Sequence, residues 1–135
     1  MFKDKTILIT GGTGSFGRRF TQTLLKKFKN IKKIIIFSRD ELKQFEMSNQ
    51  YRATPHINKL RFFIGDIRDK QRLDMALRDV NIVIHAAALK HVPSSEYNPF
   101  ETIKTNVIGT QNVIESCIEN NVAKLISLST DKASS

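Results

Sequence analysis

The sequence lacks the features that mark secreted and membrane-spanning proteins. It contains a single cysteine, Cys117, so no internal disulfide can form. No apolar run approaches the roughly 20 residues of a membrane-spanning helix, and the start, MFKDKTILIT, lacks the layout of a cleavable signal peptide. We therefore expect a cytoplasmic protein with no membrane partner. We expect Cys117 to be buried, because it falls in an apolar helical stretch.

Two further absences concern ligands. No group of His, Cys, Asp or Glu residues has the spacing of a metal site, so we expect no metal. The net charge is +9, but the basic residues are spread out and lack the aromatic interleaving of a nucleic-acid surface. The densest basic stretch, KKFKNIKK at residues 26–33, is interpreted as a solvated helix end and loop. We therefore expect no nucleic-acid partner.

Apolar runs and helical patterns alternate along all 135 residues. The predicted strands are 6–10, 33–38, 60–65, 81–87 and 124–129, and the predicted helices are 16–27, 40–49, 70–78 and 99–120. Near-continuous apolar runs are typical of strands buried on both faces of a parallel sheet. Residues 51–59 contain a proline and no period, and we predict a loop there. The order predicts an α/β, Rossmann-type doubly wound parallel sheet of about five strands, in one nucleotide-binding domain over residues 1–135.

The last predicted helix has a clear start and an apolar stripe. Asn98 is the expected cap, Pro99 the first helical residue and Glu101 lies three positions past the cap. Five residues at helical spacing are expected to face the sheet. They are Ile103, Val107, Thr110, Ile114 and Cys117. Asp69 is the expected cap of the preceding helix.

A glycine-rich segment, TGGTGSFG, directly follows the first predicted strand and opens a helix. It fits the dinucleotide-binding fingerprint through Gly12, Gly14 and Gly17, and a looser form of it through Gly11, Gly14 and Gly17. Glycines there permit a tight turn and a close approach of backbone to a pyrophosphate, which the helix N-terminus then binds. The strand before this segment and the helix after it make it a strong signal for a dinucleotide-binding loop.

The end of the second predicted strand bears on the choice of cofactor. An NAD-binding domain usually has an acid there to bind the ribose diol, but Ser38 occupies this position, Arg39 follows, and Lys43 lies one helical turn on. A hydroxyl and two cations suit the extra phosphate of NADP. Asp40 is close enough to keep NAD open, although Asp40 and Glu41 also suit the first turn of a helix. We favour NADP.

The third and fourth strands end in GDIRD and HAAALK. Asp66 is a candidate acceptor for an adenine amino group, with the backbone of Ile67 beside it. Three consecutive alanines, beginning with Ala86, leave room for a ligand against the backbone, and Lys90 follows in a loop. His85 lies within an apolar strand, and we interpret it as a hydrogen-bonded core residue.

Six segments together resemble a known family. They are ITGGTGSFG, SRDELKQ, GDIRD, AAALKHVPSSEYNP, KTNVIGTQN and LSTDKA. They are similar to extended short-chain dehydrogenase/reductases, and more narrowly to UDP-N-acetylglucosamine 4,6-dehydratases of the inverting, soluble type that begins pseudaminic acid biosynthesis. The glycine loop is shared across the superfamily, whereas the second, fourth and last segments are more specific.

The resemblance implies a lyase reaction, in which NADP⁺ oxidises C4 of UDP-N-acetylglucosamine, water is lost across C5 and C6, and hydride returns to C6. It implies Thr130 at the 4-oxygen, Asp131 as the acid at the C6 hydroxyl and Lys132 as the base at C5. Lys90, Leu128 and Ser129 would contact the substrate. The resemblance also implies contacts to the cofactor. Its pyrophosphate would be bound by Thr13, Gly14, Ser15 and Phe16, and its adenosine ribose and phosphate by Ser38, Arg39, Asp40, Glu41, Leu42 and Lys43. Its adenine would be bound by Asp66 and Ile67, and the rest of the cofactor by Ala86 and Lys90. Finally, the resemblance implies a homo-oligomer.

One departure from the family pattern is evident. The family requires a Tyr followed four residues later by a Lys, but Tyr51 and Tyr97 are followed at that spacing by Pro55 and Glu101. We therefore expect an N-terminal fragment that lacks the substrate domain and does not turn over substrate alone. Alternatives are the retaining dehydratase branch, another UDP-sugar epimerase or dehydratase, and an NADP-binding module without catalysis.

Overall fold

The structure is a computed structural model that describes residues 1–89 and 99–128, with side chains over 1–87 and 106–128. The strands are β1 (Thr6–Thr10), β2 (Lys33–Ser38), β3 (Leu60–Ile64), β4 (Ile82–His85) and β5 (Lys124–Ser127), and the α-helices are α1 (Ser15–Lys27), α2 (Glu41–Tyr51), α3 (Lys70–Ala76) and α4 (Pro99–Glu119). The five strands form one parallel sheet in the order β3-β2-β1-β4-β5. The predicted doubly wound α/β fold is confirmed.

The core consists of two apolar layers, one on each face of the sheet. Alternate residues of one strand enter different layers, so Ile7 and Ile9 pack with Leu24 of α1 and Met47 of α2, whereas Leu8 packs with the other layer. That second layer includes residues of α3 and α4, such as Leu73, Val113 and Cys117. Each fully buried Ile or Leu contributes roughly 1.5–3 kcal/mol to folding. This arrangement explains the apolar runs, because both faces of the inner strands are covered.

The outermost strands differ from the prediction of burial on both faces. Every residue of β1 and β4 is buried, as is all of β2 except its first residue, but β5 has no buried residue and β3 buries only Leu60 and Phe63. The prediction is therefore wrong for β5, because the described helices do not cover both faces of this edge strand. The predicted loop at 51–59 is also wrong in part. Tyr51 ends α2, and Pro55–Lys59 form a 3-10 helix that has proline in its first turn.

The sheet-facing stripe of α4 is rotated from the predicted one. Cys117 is buried as expected, and burial raises the pKa of its thiol to about 11. Val107 and Ile114 are 59% and 45% exposed, so their predicted inward position is wrong. The buried positions are instead Gly109, Val113, Ser116 and Cys117. Both sides of this helix carry apolar residues, and the period alone does not distinguish them. Asn98 and the side chains of Glu101 and Ile103 lie outside the described residues.

One smaller boundary also shifts, and one predicted cap is confirmed. The fourth strand ends at His85, since Ala86–Leu89 form a 3-10 helix where the sequence pattern predicted continued strand. Asp69 is the N-cap of α3 as predicted, and its carboxylate accepts from the Arg72 amide at 3.2 Å. Among the described residues no helix is both long and apolar enough to cross a membrane.

Candidate functional site

The segments that follow the five strands lie side by side along one edge of the sheet, which we call the carboxyl edge. Backbone hydrogen bonds link neighbouring segments: the Gly12 amide donates to the Phe37 carbonyl at 3.3 Å, and the Gly65 amide donates to the Ser38 carbonyl at 2.9 Å. On the other side, the Leu128 amide donates to the His85 carbonyl at 3.3 Å. Ligands of open α/β sheets bind beyond this edge. Here it collects most of the predicted cofactor residues.

The glycine loop between β1 and α1 is shaped by contacts that exclude side chains. Gly11 has a φ of 63°, and a Cβ on it would lie 3.0 Å from the Ala87 backbone. A Cβ on Gly17 would lie 2.5 Å from the Gly12 carbonyl oxygen. The loop therefore lies directly against the first turn of α1 and against the segment after β4. The glycines of the predicted fingerprint thus lie in a tight loop between β1 and α1.

The N-terminus of α1 points into this loop without a capping side chain. Gly14 is the N-cap, the first turn contains no acidic residue, and Gly14, Ser15 and Phe16 are exposed. The first amides of a helix have no intrahelical acceptor and concentrate positive potential. Thr13, by contrast, is buried, and its carbonyl accepts from Arg18 Nε at 3.0 Å. The loop thus offers free backbone donors of the kind that bind phosphate.

Ser38, at the end of β2, is buried and held by Gln44. The side-chain amide of Gln44 donates to Ser38 Oγ at 2.9 Å and to the Phe63 carbonyl at 3.0 Å. Because the serine oxygen is the acceptor, its own proton remains available for a further bond. Gln44 was not singled out from the sequence, since a polar residue inside a helical pattern gives no sign of burial. It joins α2 to β2 and β3 beneath the carboxyl edge.

Asp40 caps the N-terminus of α2. Its carboxylate accepts from the Lys43 amide at 3.0 Å, which makes Asp40 the N-cap of that helix. The side chains of Glu41, Leu42 and Lys43 are exposed around the same turn. One carboxylate oxygen of Asp40 therefore bonds a backbone amide, and Lys43 stays at the surface.

Asp66 joins two arginines from neighbouring strand ends. Arg68 binds both of its carboxylate oxygens, with the shortest contact at 2.7 Å, and Arg39 Nη1 lies 3.8 Å from Oδ2. Burial by itself raises the pKa of Asp66, but its hydrogen bonds to Arg68 and the charges of both arginines lower it below the usual value overall. Asp66 is thus ionised at neutral pH and positions Arg39 above the end of β2.

Ile67 is held in place by α4. A Cβ on Gly109 would lie 2.4 Å from Ile67 Cδ1, and the Asn112 side chain donates to the carbonyls of Ile67 and Arg68 at 3.0 and 3.2 Å. Helix α4 therefore fixes the loop after β3, where the adenine contact was predicted. Asn112 belongs to the quoted segment KTNVIGTQN, but its partner is distant in sequence, and no local pattern identifies it.

His85 connects the glycine loop to α4. Its Nδ1 lies 2.7 Å from Thr10 Oγ1 and its Nε2 lies 3.0 Å from Thr110 Oγ1, while Thr10 Oγ1 also accepts from the Ala87 amide at 3.2 Å. Burial lowers the pKa of His85, so the ring is neutral at neutral pH. The prediction of a hydrogen-bonded core histidine is confirmed. Ala86 is buried beside it.

Several predicted site residues lie outside the described residues. They are Lys90, Ser129, Thr130, Asp131 and Lys132. Leu128, the last described residue, is half-buried and packs against the core layer that contains Ile7. Among the described residues no group of three or more His, Cys, Asp or Glu side chains is placed to hold a metal ion.

The fold defines a Rossmann-type α/β domain, and its carboxyl edge carries the glycine loop that is typical of dinucleotide-binding sites. The glycine cradle, the open helix N-terminus and the cations beyond β2 fit an NAD(P) dinucleotide at its pyrophosphate and adenosine ends. At the level of sequence families, the model described as "Polysaccharide biosynthesis protein" matches residues 7–135. The chain belongs to that family.

Three similar proteins narrow the comparison. The chain is 63% identical over 133 residues to the UDP-N-acetylglucosamine 4,6-dehydratase (inverting) of Campylobacter jejuni, which covers 98% of this chain and 38% of the relative. The structure of Pen from Bacillus thuringiensis matches with a TM-score of 0.82 and 41% identity, over 94% of this chain and 37% of that one. UDP-glucose 4-epimerase from Bifidobacterium longum, solved with NAD⁺ and UDP, matches with a TM-score of 0.73 and 26% identity, over 93% and 37%. The chain thus spans less than two-fifths of these proteins.

Proposed function

We propose that this chain is the nucleotide-binding part of an NADP-dependent UDP-N-acetylglucosamine 4,6-dehydratase of the inverting type, whose product enters pseudaminic acid biosynthesis. The observation that carries the activity is the 63% identity to the inverting dehydratase of C. jejuni over 98% of this chain. The carboxyl edge supports the same conclusion, because it provides a dinucleotide cradle at the place where this chemistry needs one.

The cofactor would be held along the carboxyl edge. The backbone of residues 13–16 would bind the pyrophosphate, and Asp66 and Ile67 would flank the adenine. When bound, NADP⁺ would accept hydride from the sugar and return it, which is the redox chemistry that the side chains of a protein do not supply. Ala86 and Lys90 would line the remainder of the cofactor. The described part of this cradle, around Gly11 and Gly17, excludes side chains as such an approach requires.

The choice of NADP over NAD rests on the residues after β2. Asp40 bonds a backbone amide as the N-cap of α2 and lies two residues beyond Ser38, the position where NAD-binding domains usually have an acid. Ser38 keeps a hydroxyl proton to donate, and Arg39, the next residue, is paired with Asp66 at 3.8 Å. Arg39 and exposed Lys43 offer positive charge to a phosphate. The competing cofactor is NAD, which the epimerase of B. longum binds.

The dehydration itself is assigned to residues after β5. Thr130 would hydrogen-bond the 4-oxygen, Lys132 would remove the C5 proton that the 4-ketone acidifies, and Asp131 would protonate the departing C6 hydroxyl. Lys90, Leu128 and Ser129 would contact the substrate. A lysine base must lose its proton part of the time, which requires burial or neighbouring cations. A protonated Asp131 would donate the proton that the departing hydroxyl needs. It would also remove the negative charge that would otherwise keep Lys132 protonated.

The activity is tested in a protein of the relatives' length that carries this chain. Incubation with UDP-N-acetylglucosamine and proton NMR should reveal a 4-keto-6-deoxy sugar inverted at C5. Asp131→Asn should abolish water loss while cofactor binding is retained. Formation of UDP-N-acetylgalactosamine instead would establish the second candidate, a 4-epimerase, and a 4-keto product with unchanged C5 would establish the retaining branch.

The cofactor is tested by binding titrations of NADP and NAD. The wild type should prefer NADP, and Arg39→Ala should weaken NADP by about 10- to 100-fold, the value of roughly 1.5–3 kcal/mol for a hydrogen bond to a charged group. NAD affinity should change little. Arg61→Ala is a matched control, because this exposed arginine lies within β3 away from the edge. Equal affinities of the wild type for both cofactors would contradict the proposal.

A further inference from the structure

Most of the net charge of this protein lies in its first 33 residues. They contain nine basic residues and one acidic residue, Asp4, and so carry +8 of the net +9. Arg18 and Arg19 belong to the first turns of α1, near the carboxyl edge. The other seven basic residues are Lys3, Lys5, Lys26, Lys27, Lys29, Lys32 and Lys33. They precede β1, end α1, or lie before β2 and at its first residue, and because parallel strands start at one edge of a sheet, all seven lie at the opposite, amino edge.

The two segments that carry these lysines are hydrogen-bonded to each other. The Asp4 amide donates to the Asn30 carbonyl at 2.8 Å, and the Lys32 amide donates to the Lys5 carbonyl at 3.0 Å, so the N-terminal segment runs along the α1–β2 loop. A shallow cavity of about 210 Å³ lies between the two segments. Its lining includes Met1, Lys3, Lys27, Phe28 and Lys29. We call the seven lysines together with Met1 and Phe28 the lysine surface.

The lysines of this surface have no carboxylate partners. Within the described part of the chain, none of the seven ammonium groups lies within 4.0 Å of an Asp or Glu oxygen, whereas Arg18, Arg39 and Arg68 at the carboxyl edge are all paired. Lys26 and Lys27 lie in the last turn of α1, where the helix dipole favours a cation. That explanation does not extend to the other five. Their uncompensated charge gives the amino edge a positive field.

Apolar side chains project from the middle of this field. Met1 is 69% exposed and Phe28 is 43% exposed, and the Phe28 ring packs edge-on against Phe2 with centroids 4.9 Å apart. Exposed apolar groups ringed by lysine are typical of surfaces that lie in a membrane interface. The absence of arginine from the surface argues against nucleic acid, since arginine is the usual residue for bidentate phosphate recognition.

We propose that the lysine surface docks the protein on an anionic lipid membrane, with the ammonium groups at the phosphates and with Phe28 and Met1 among the headgroups. The carboxyl edge lies at the other end of the strands and would remain open to ligands. Sequence analysis predicted no membrane partner because no apolar run is long enough to span a bilayer. Peripheral docking needs no such run, and it does not depend on the proposed enzymatic function.

Vesicle flotation tests the inference on the purified protein. Binding is compared between vesicles of pure phosphatidylcholine and vesicles containing equal parts of phosphatidylglycerol. The wild type should float only with the anionic vesicles and should dissociate as salt is added. Lys27→Gln/Lys29→Gln should weaken binding about 30-fold, since each lysine near an anionic surface contributes about 1 kcal/mol. Arg19→Gln/Lys43→Gln removes the same charge near the carboxyl edge and should change binding little.

A second variant separates lipid from other polyanions. Phe28→Gln should weaken vesicle binding without changing the charge, and circular dichroism checks that each variant is folded. Equal flotation with both kinds of vesicle, or equal losses in the two double variants, would overturn the proposal. So would tighter binding to an RNA or DNA duplex than to anionic vesicles, which would assign the lysine surface to nucleic acid.

Discussion

The two edges of the sheet differ in whether their basic side chains are paired with carboxylates. At the carboxyl edge, Asp66 holds Arg68 by hydrogen bonds and lies 3.8 Å from Arg39, and Arg18 lies 3.8 Å from Glu46. At the amino edge, the lysine surface has no such partners among the described residues. The carboxyl edge thus combines paired cations with a glycine loop in which Gly11 and Gly17 leave no room for a Cβ, whereas the amino edge has lysines without described carboxylate partners around exposed apolar side chains.

This difference separates a site that recognises its ligand by donors at defined positions from a surface that attracts its partner by net charge. A cofactor is recognised by donors at defined positions, and fixing those donors before binding reduces the entropy lost on binding. A membrane surface has no fixed arrangement of phosphates, so flexible lysines serve it as well as ordered ones. Substitutions should therefore cost stability at the carboxyl edge and almost none at the lysine surface. The predictions below test this contrast, from the largest expected effect to the smallest.

The glycine loop should give the largest effect. Gly17→Ala places a Cβ 2.5 Å from the Gly12 carbonyl oxygen, and we expect a loss of about 3 kcal/mol in the free energy of unfolding together with loss of dinucleotide binding. Gly14→Ala is the matched control, because its nearest contact is the Gly11 carbonyl oxygen at 3.3 Å and it is exposed. Urea denaturation measures both. Equal stability of the two variants would show that the loop can shift to accept the added methyl group at Gly17.

His85→Leu should rank next. The change removes the partner of two hydroxyls, those of Thr10 and Thr110, and a buried polar group without a partner costs about 1–3 kcal/mol. We expect His85→Gln, which keeps hydrogen-bonding groups, to restore part of the loss in urea denaturation. If the leucine variant is as stable as the wild type, the hydrogen bonds of His85 to Thr10 and Thr110 do not stabilise the fold.

The same histidine should make stability depend on pH. Burial lowers its pKa in the folded state, so the unfolded chain binds more protons as the pH falls below about 6.5. Stability is therefore complete above that pH and falls below it, by at most about 1.4 kcal/mol per pH unit for one group. The His85→Gln variant should lack this slope between pH 7.5 and 5.5. A slope that is unchanged in the variant would assign the titration to another group.

Asn112→Ala should have a moderate effect. It removes two side-chain hydrogen bonds to the carbonyls of Ile67 and Arg68, for an expected loss of about 1–2 kcal/mol. Gln111→Ala is the control, since this neighbour is exposed and its side chain binds only Glu115 among the described residues. Thermal unfolding compares the two, and indistinguishable midpoints would mean that α4 does not hold the loop after β3.

The smallest effect should come from the lysine surface. Lys27→Gln/Lys29→Gln removes like charges without removing an ion pair, and we expect the free energy of unfolding to change by no more than about 0.5 kcal/mol. A marked destabilisation in urea would show that these lysines have partners after all and would remove the contrast between the edges.

Much of the carboxyl edge could be predicted from local patterns. The glycine loop, the cap at Asp69 and the residues after each strand follow from short motifs whose chemistry is local. The partners that hold them could not be predicted. Gln44 reaches the Phe63 carbonyl, Asn112 reaches the loop after β3, and Thr110 reaches His85. Each contact joins residues that are distant in sequence, and no periodicity encodes it.

By itself, the sequence determined the order of strands and helices, the parallel sheet and the position of the glycine loop, because apolar period and turn chemistry act over a few residues. Only the tertiary structure decided which face of α4 is buried, that Asp66 joins Arg39 to Arg68, and that β5 is exposed at the sheet edge. It also gathered lysines from two separate segments into one surface. These properties depend on which elements become neighbours, and long-range packing sets that.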